Sequence, residues 1–486
     1  MTQEKIEALL DFAVARIREA GAGYGDVRHV RTRREMLLSR DGVLDPAIRT
    51  GDAGFGVRVL LDGAWGFAAT LHPTEEALAA TVKRAAEVAR ASASVRTEPL
   101  VLAPVEKVSG TYRSPFEEDP FAVPLAEKVA ILAEATEAMR TNAHAVAVEA
   151  SMDFFRIQKR FHSTEGSAVF QDIVESGAGI AVTAEVDGEV QRRSYPNSFR
   201  GNFLAAGFEY VRSLDLPGHG ARIAAEAEAL CRAPDCPAGE TTVVIDADQM
   251  ALQVHESCGH PTELDRVLGT EISLAGGSFM TLEGLGKLRY GSPLVNITAD
   301  STTPGGLGTF GWDDEGVPAG RTPLVAKGLH VGFLTSRETA PRIGLGASGG
   351  TMRAESWSHI PLIRMVNVNL EPGEGTLEEI LSEVQDGIYI TTNKSWSIDD
   401  LRLNFQFGCE MARQIKNGQL GTLYKNPVYT GITPRFWGSC TAVGGKDAWH
   451  LTGITSCGKG EPMQGMHVSH GASPARFEKV QVGVSR

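Results

Sequence analysis

Residues 255 to 265 read HESCGHPTELD and place two histidines, a cysteine, two glutamates and an aspartate within eleven positions. Imidazole, thiolate and carboxylate are the donors that hold zinc, and a carboxylate directly after a ligand histidine stands where a general base is needed. The spacing, however, departs from the H-E-x-x-H helix of zinc peptidases, because His255 and His260 are five apart and not four. On a regular α-helix, residues four apart diverge by about 40° and residues five apart by about 140°, so an ideal helix would point the two imidazoles away from each other. A π-type turn brings i and i+5 onto one face. Pro261 offers no N–H to the carbonyl of Ser257, and Gly259 lowers the cost of irregular backbone, so the helix is expected to distort or end between Gly259 and Pro261.

With both imidazoles on one side, Glu256 lies beside the open coordination position as a general base, and Glu263 or Asp265 can orient a ligand imidazole from behind. Two histidines on one helix are equally compatible with ordinary polar packing, and Asp265 with a surface charge. A catalytic zinc takes three protein ligands and an exchangeable water, which leaves one donor to find. The candidates are His330, His359, His450, His467, His470, Glu263 and the cysteines. Cys258 points away from both histidines and reads as a buried thiol. Cys457, in GITSCGKGEPMQGMHVSHG, is the more suggestive, because a flexible Gly-Lys-Gly turn puts a cation near its sulfur and favours thiolate. Met463, Met466 and His467 in that stretch also raise a copper loop, but a carboxylate next to the first histidine serves hydrolysis and not electron transfer.

The elements that must position these groups fall into two textures. In the first half, helical periodicity covers the opening segment (Ile6, Leu9, Leu10, Phe12, Ala13, Ile17), the stretch from Thr74 and the stretch from Pro124, with another helix near 217 to 233. Strand composition fills 26 to 45, 54 to 70 and about 145 to 194, with Asp62-Gly63 and Asp187-Gly188 supplying tight turns. Residues 94 to 123 look like an irregular connection. Two helix-then-hairpin passages are therefore present and are candidates for distant copies of one unit. The two prolines and the glycine of APDCPAGE mark a boundary, giving an N-terminal α/β domain at 1–235 and a β-rich, barrel-like domain at 236–486. The fold class is α+β, with the motif on a distorted helix inserted into the β-rich half.

Composition excludes several functions. The chain has 486 residues, 42% hydrophobic and 22% charged, and no run approaches the roughly 18 apolar residues of a membrane span. Forty-seven basic against 60 acidic residues leave a net charge of −13 without a basic block, which argues against nucleic acid as a partner. Six scattered cysteines and an opening segment unlike a signal peptide point to free thiols in a cytoplasmic protein.

The run HESCGHPTELD resembles the H-E-x-x-x-H-x-x-E-x-D signature of the TldD/PmbA metallopeptidases. The likeness extends through VVIDADQMALQVHES, GTFGWDDEGVPAGRT, GASGGTMRAES and the closing CGKGEPMQ with VQVGVSR, and is weaker in the first half. The resemblance implies that His255 and His260 bind zinc, that Glu256 is catalytic, and that Cys457 is the third ligand. It implies the active member of the family rather than its motif-less paralogue, working as a dimer with a PmbA/TldE-like partner or with itself. It also implies a flexible or unfolded peptide substrate. Pro261 is a local departure from the pattern, and His467 and His470 compete with Cys457 as donors.

The function read from the sequence is zinc-dependent peptide hydrolysis with Glu256 as general base. Arg353, Tyr389 and the backbone N–H groups of 346 to 350 are candidates for the oxyanion donor that the motif lacks. Two other functions fit the same residues: a zinc amidohydrolase acting on small molecules, and a non-catalytic interaction subunit with a structural metal.

Overall fold

The structure, a computed structural model, describes residues 2–96 and 98–484. Met1, Thr97 and the last two residues of VQVGVSR lie outside the described residues. The first half contains two units of the same build. In the first, helix Gln3–Glu19 is followed by strands Tyr24–Arg40, Val43–Leu61 and Ala64–Thr70 and then by helix Glu75–Ala93. In the second, helix Leu125–Arg140 is followed by strands Ala145–Ser163, Ala168–Val186 and Glu189–Tyr195 and, after the short strand Asn202–Leu204 and helix Phe208–Ser213, by helix Leu216–Arg232. Tyr24–Arg40 and Ala145–Ser163 pair antiparallel at the centre of one sheet, so each unit extends outward from that seam. Both expected hairpin turns are present, with Asp62 and Gly63 at φ 53° and 74° and Asp187 and Gly188 at 53° and 84°. Asn and Asp tolerate this left-handed region and Gly adopts it freely, which is why the strands reverse there.

The helices cover one face of the sheet with apolar side chains: Leu10, Ile17, Val57, Val82 and Ala86 on one unit, Leu132, Met139, Phe154, Ile180 and Ile223 on the other. The opposite face meets the second half of the chain through buried charge. Arg58 bridges Asp26 at 2.7 Å and Glu315 at 3.1 Å, Lys159 meets Asp314 at 2.6 Å, and Arg193 meets Glu410 at 2.8 Å. The GWDDEGVP segment thus serves as a weld between the halves. The connection over 94 to 123 is less irregular than its composition suggests, since Ser109–Arg113 adds a parallel edge strand beside Ala168–Val186.

In the second half, strands Gly239–Ile245, Asp386–Ile398, Asn404–Lys416, Pro427–Ile432 and Ala475–Val484 close into a five-stranded ring. Its interior holds Val243, Ile390, Phe405, Phe407, Tyr429 and Phe477. Strand Gly239–Ile245 leads through Asp246 directly into helix Ala247–Val254. That helix is pinned to the barrel by the Tyr429 hydroxyl, which accepts from Gln249 at 2.8 Å and donates to Gln253 at 3.0 Å. No helix among the described residues is long and apolar enough to cross a membrane.

Candidate metal centre

After Val254 the helix underwinds into a π turn over His255–Gly259, and the backbone N–H of His260 donates to the carbonyl of His255, five residues back. A short 3-10 turn over His260–Thr262, with Pro261 inside it, ends the segment. The hydroxyl of Thr262 donates to the carbonyls of Cys258 at 2.8 Å and Gly259 at 2.9 Å, replacing backbone donors that the distorted turn withholds. Gly259 is required here by packing, because a Cβ at this position would stand 2.0 Å from the sulfur of Met365. The expected distortion is therefore real, and it puts the two imidazole centroids 4.9 Å apart at an interplanar angle of 89°.

Cys457 arrives from the hairpin of strands His450–Lys459 and Gln464–Ala472. One donor atom from each of His255, His260 and Cys457 lies within 4.8 Å of the others, and all three side chains are buried. The partners of each ring fix which nitrogen is free. His260 Nδ1 is 3.0 Å from Glu263 Oε2, so its Nε2 faces Cys457 Sγ at 3.7 Å. His470 donates through Nδ1 to the carbonyl of Val368 at 2.8 Å, which leaves its Nε2 to accept from His255 Nδ1 at 2.7 Å. This network assigns the tautomers, and both rings then keep Nε2 as an unprotonated donor.

Burial raises the thiol pKa of Cys457, but the His260 imidazole and the Arg364 guanidinium outweigh it and pull the group below its ordinary value. Arg364 holds the hairpin by donating to the carbonyls of Cys457 and Gln464. Burial likewise works against a charged Glu263, yet Lys459 and His260 hold its carboxyl well below the usual carboxylate range. Lys459 is fully buried among Asp265 at 2.7 Å, Glu263 at 3.5 Å and Glu271 at 3.6 Å. The Glu256 carboxylate is 2.5 Å from Arg402 Nη1. Its burial is overcome by His255, His260 and Arg402, which together lower its pKa.

Several sequence expectations need correction. Asp265 touches no imidazole; it binds Lys459, and Glu263 alone stands behind His260. Lys459 is consumed by carboxylates, and the cation beside the sulfur is Arg364. His330 donates to the carbonyl of Gly332, while His359 meets Ser356, His450 meets Asp248 and His467 meets Glu175. Arg353 donates to the carbonyls of Met365, His467 and Leu307, and Tyr389 donates to Asp246. Arg402 was not singled out in the sequence: it lies 146 residues from Glu256, and only the barrel loop brings them together.

A model of the PmbA/TldA metallopeptidase C-terminal domain matches residues 238–484, and a model of domain 1 of the same metallopeptidases matches residues 25–89. The chain belongs to this family. It is 27% identical to a metalloprotease of Methanocaldococcus jannaschii over 88% of this chain and 89% of that one. It is 22% identical to a zinc metalloprotease TldD homolog of Saccharolobus solfataricus, over 97% and 98% of the two chains. Among solved structures, TldE from Thermococcus kodakarensis has the same fold, with a TM-score of 0.72 at 16% identity, covering 99% of this chain and all of that one. Family membership makes the chain a metallopeptidase homologue with a His/His/Cys cluster at its centre.

Proposed function

We propose that this chain is a zinc-holding, TldD-like peptidase acting on flexible peptides, with His255, His260 and Cys457 as ligands and Glu256 as general base. The observation that carries this reading is the convergence of three buried donors within 4.8 Å, with Nδ1 of both imidazoles already engaged. Two neutral imidazoles and one thiolate suit zinc, and three donors are the number a catalytic site uses. A closed structural site needs a fourth protein donor, and His467, a candidate for it, faces Glu175 instead.

Bound zinc supplies Lewis acidity and lowers the pKa of a coordinated water toward neutrality. Glu256, kept as a carboxylate by Arg402 and the imidazoles, accepts a proton from the attacking water and returns it to the leaving amine. Glu263 and His470 hold the ligand rings in their tautomers. Strand Val43–Leu61 is paired with Ala64–Thr70 only from Phe55 onward, so its first part is a free edge where an extended peptide can pair by main-chain hydrogen bonds. The fold shared with TldE supports pairing with a TldE-like partner, with self-association as the other arrangement. The same reading takes 1–235 and 236–486 as the two domains and the cytoplasm as the compartment.

The test is metal content of wild type and Cys457→Ser, together with cleavage of an unstructured peptide by wild type and Glu256→Gln. About one zinc per chain, lost or weakened without the thiolate, and a Glu256→Gln protein that keeps zinc but cuts nothing are the expected results. A chain that retains zinc and still cleaves after Glu256→Gln would refute the assignment.

A further inference from the structure

A cavity of about 540 Å³ lies between the sheet of the first half and the hairpin that carries Cys457. Phe155 and Ile173 from the sheet face Leu307, Phe310, Trp312 and Met466 across it. Several charged groups in its wall are paired, Glu175 with His467 at 2.5 Å, Asp314 with Lys159 at 2.6 Å, and Asp153 with Arg34 at 2.5 Å, while Arg353 donates to the carbonyls of Met365, His467 and Leu307. An occupant meets hydrocarbon and ring surface together with the guanidinium groups of Arg353 and Arg200, and the exposed carboxylates of Asp52 and Glu355 stand at the rim.

The cavity adjoins the metal centre through the hairpin that carries Cys457. Thr455 and Ser456 line it, directly precede Cys457, and form a bulge that has no partner residues on the opposite strand. Bulges of this kind are concentrated beside active sites, where they re-aim a side chain or end strand pairing. Arg200 is also part of the lining, and its neighbour Phe199 stands edge-on to Trp396 at 6.0 Å. Trp396 in turn is among the groups that lower the pKa of Glu256. The cavity therefore lies beside the hairpin segment that delivers the Cys457 thiol.

We propose that this cavity is the subsite for a substrate residue flanking the scissile bond, and that it selects a large apolar side chain, aromatic or long aliphatic. The proposal rests on the peptidase reading above. A peptide entering along the Thr455–Ser456 bulge places one side chain among Phe155, Ile173, Leu307, Phe310, Trp312 and Met466 and leaves its neighbours over the polar rim. A basic residue there gives up its hydration to a wall that already carries Arg353 and Arg200 and whose Glu175, Asp314 and Asp153 are paired, so it is rejected.

The experiment uses two unstructured peptides identical except for one residue, Phe or Ala, with binding measured by calorimetry on the zinc-loaded Glu256→Gln protein. The Phe peptide is expected to bind at least about tenfold more tightly, the scale on which apolar pockets discriminate. Ile173→Trp, at a half-buried position, fills the cavity; it is expected to abolish that preference while zinc content and circular dichroism stay unchanged. Ile173→Ala keeps the preference. Equal binding of the two peptides, or a preference that survives Ile173→Trp in a folded protein, overturns the proposal. Cleavage by wild type without discrimination removes the subsite and leaves the peptidase, whereas selective binding without cleavage by wild type removes the peptidase and leaves the subsite.

Discussion

Nε2 of His470 stands 2.7 Å from Nδ1 of His255, and His470 is itself fixed by its bond to the Val368 carbonyl. A histidine thus orients a histidine, in the place where a carboxylate serves His260. His470→Ala is expected to weaken zinc binding about 10- to 100-fold, the usual consequence of removing a group that orients a ligand. Competition with a chromogenic chelator measures this, and His470→Gln, which retains an acceptor, should recover part of the loss. Unchanged affinity in His470→Ala would show that His255 is oriented by packing alone.

Lys459 lies among three carboxylates, Glu263, Asp265 and Glu271, and among the described residues neither oxygen of Glu271 has a hydrogen-bond partner. Lys459→Met leaves Asp265 without its cation, Glu271 with Arg266 alone at 3.5 Å and Glu263 with His260. Removing one partner of a buried ionic group costs about 3–5 kcal/mol. Urea denaturation should register a loss of that order, and Lys459→Arg, bulkier but charged, should lose less.

Gly259 lies against Met365, and the methyl of an alanine would have to displace that sulfur. Gly259→Ala is expected to cost about 1–3 kcal/mol of stability, as overpacking does. It should also lower zinc affinity, because His260 follows directly. Gly259→Ala combined with Met365→Ala, which opens the space, should restore metal content toward wild type.

His330 is fully buried, donates from Nε2 to the Gly332 carbonyl, and has a second nitrogen without a partner. Burial pushes its pKa down to about 4. Above the unfolded value near 6.5 neither state carries the proton, so its contribution to stability is intact. As pH falls from 6.5 toward 4 the unfolded chain takes up a proton that the folded chain refuses. Stability falls by on the order of 3 kcal/mol before levelling off below pH 4. Comparing the pH dependence of urea midpoints for wild type and His330→Gln isolates this share; the variant should show the shallower decline over that window.

The parts legible in the sequence were those fixed by local rules. Asp-Gly turns, helical periodicity from Thr74 and from Pro124, and the conflict between five-residue spacing and α-helical geometry at His255 and His260 each depend on a few adjacent residues. The partners that complete the centre were less accessible, because they come from distant segments. Arg402 reaches Glu256 through barrel closure, and Arg364 reaches the Cys457 strand across the hairpin. His470 was visible as a nearby imidazole, but its distance from His255 along the chain conceals that it serves the ring and not the metal. Lys459 shows the opposite error: nearness in sequence to Cys457 suggested a service to the sulfur, while burial assigned it to Glu263, Asp265 and Glu271. The strand Ser109–Arg113 escaped notice because a short edge strand carries little alternation to read.

The thiolate donor follows His260 by 197 residues. At ribosomal speed that separation is a delay of roughly 10 to 40 s, during which a growing chain holds both imidazoles without the sulfur. The strand Ala475–Val484 that closes the barrel emerges later still. On the proposed reading, a chain made only as far as His260 lacks the third donor to metal. Hydrolysis, on the same zinc reading, becomes possible only once the hairpin that carries Cys457 has emerged.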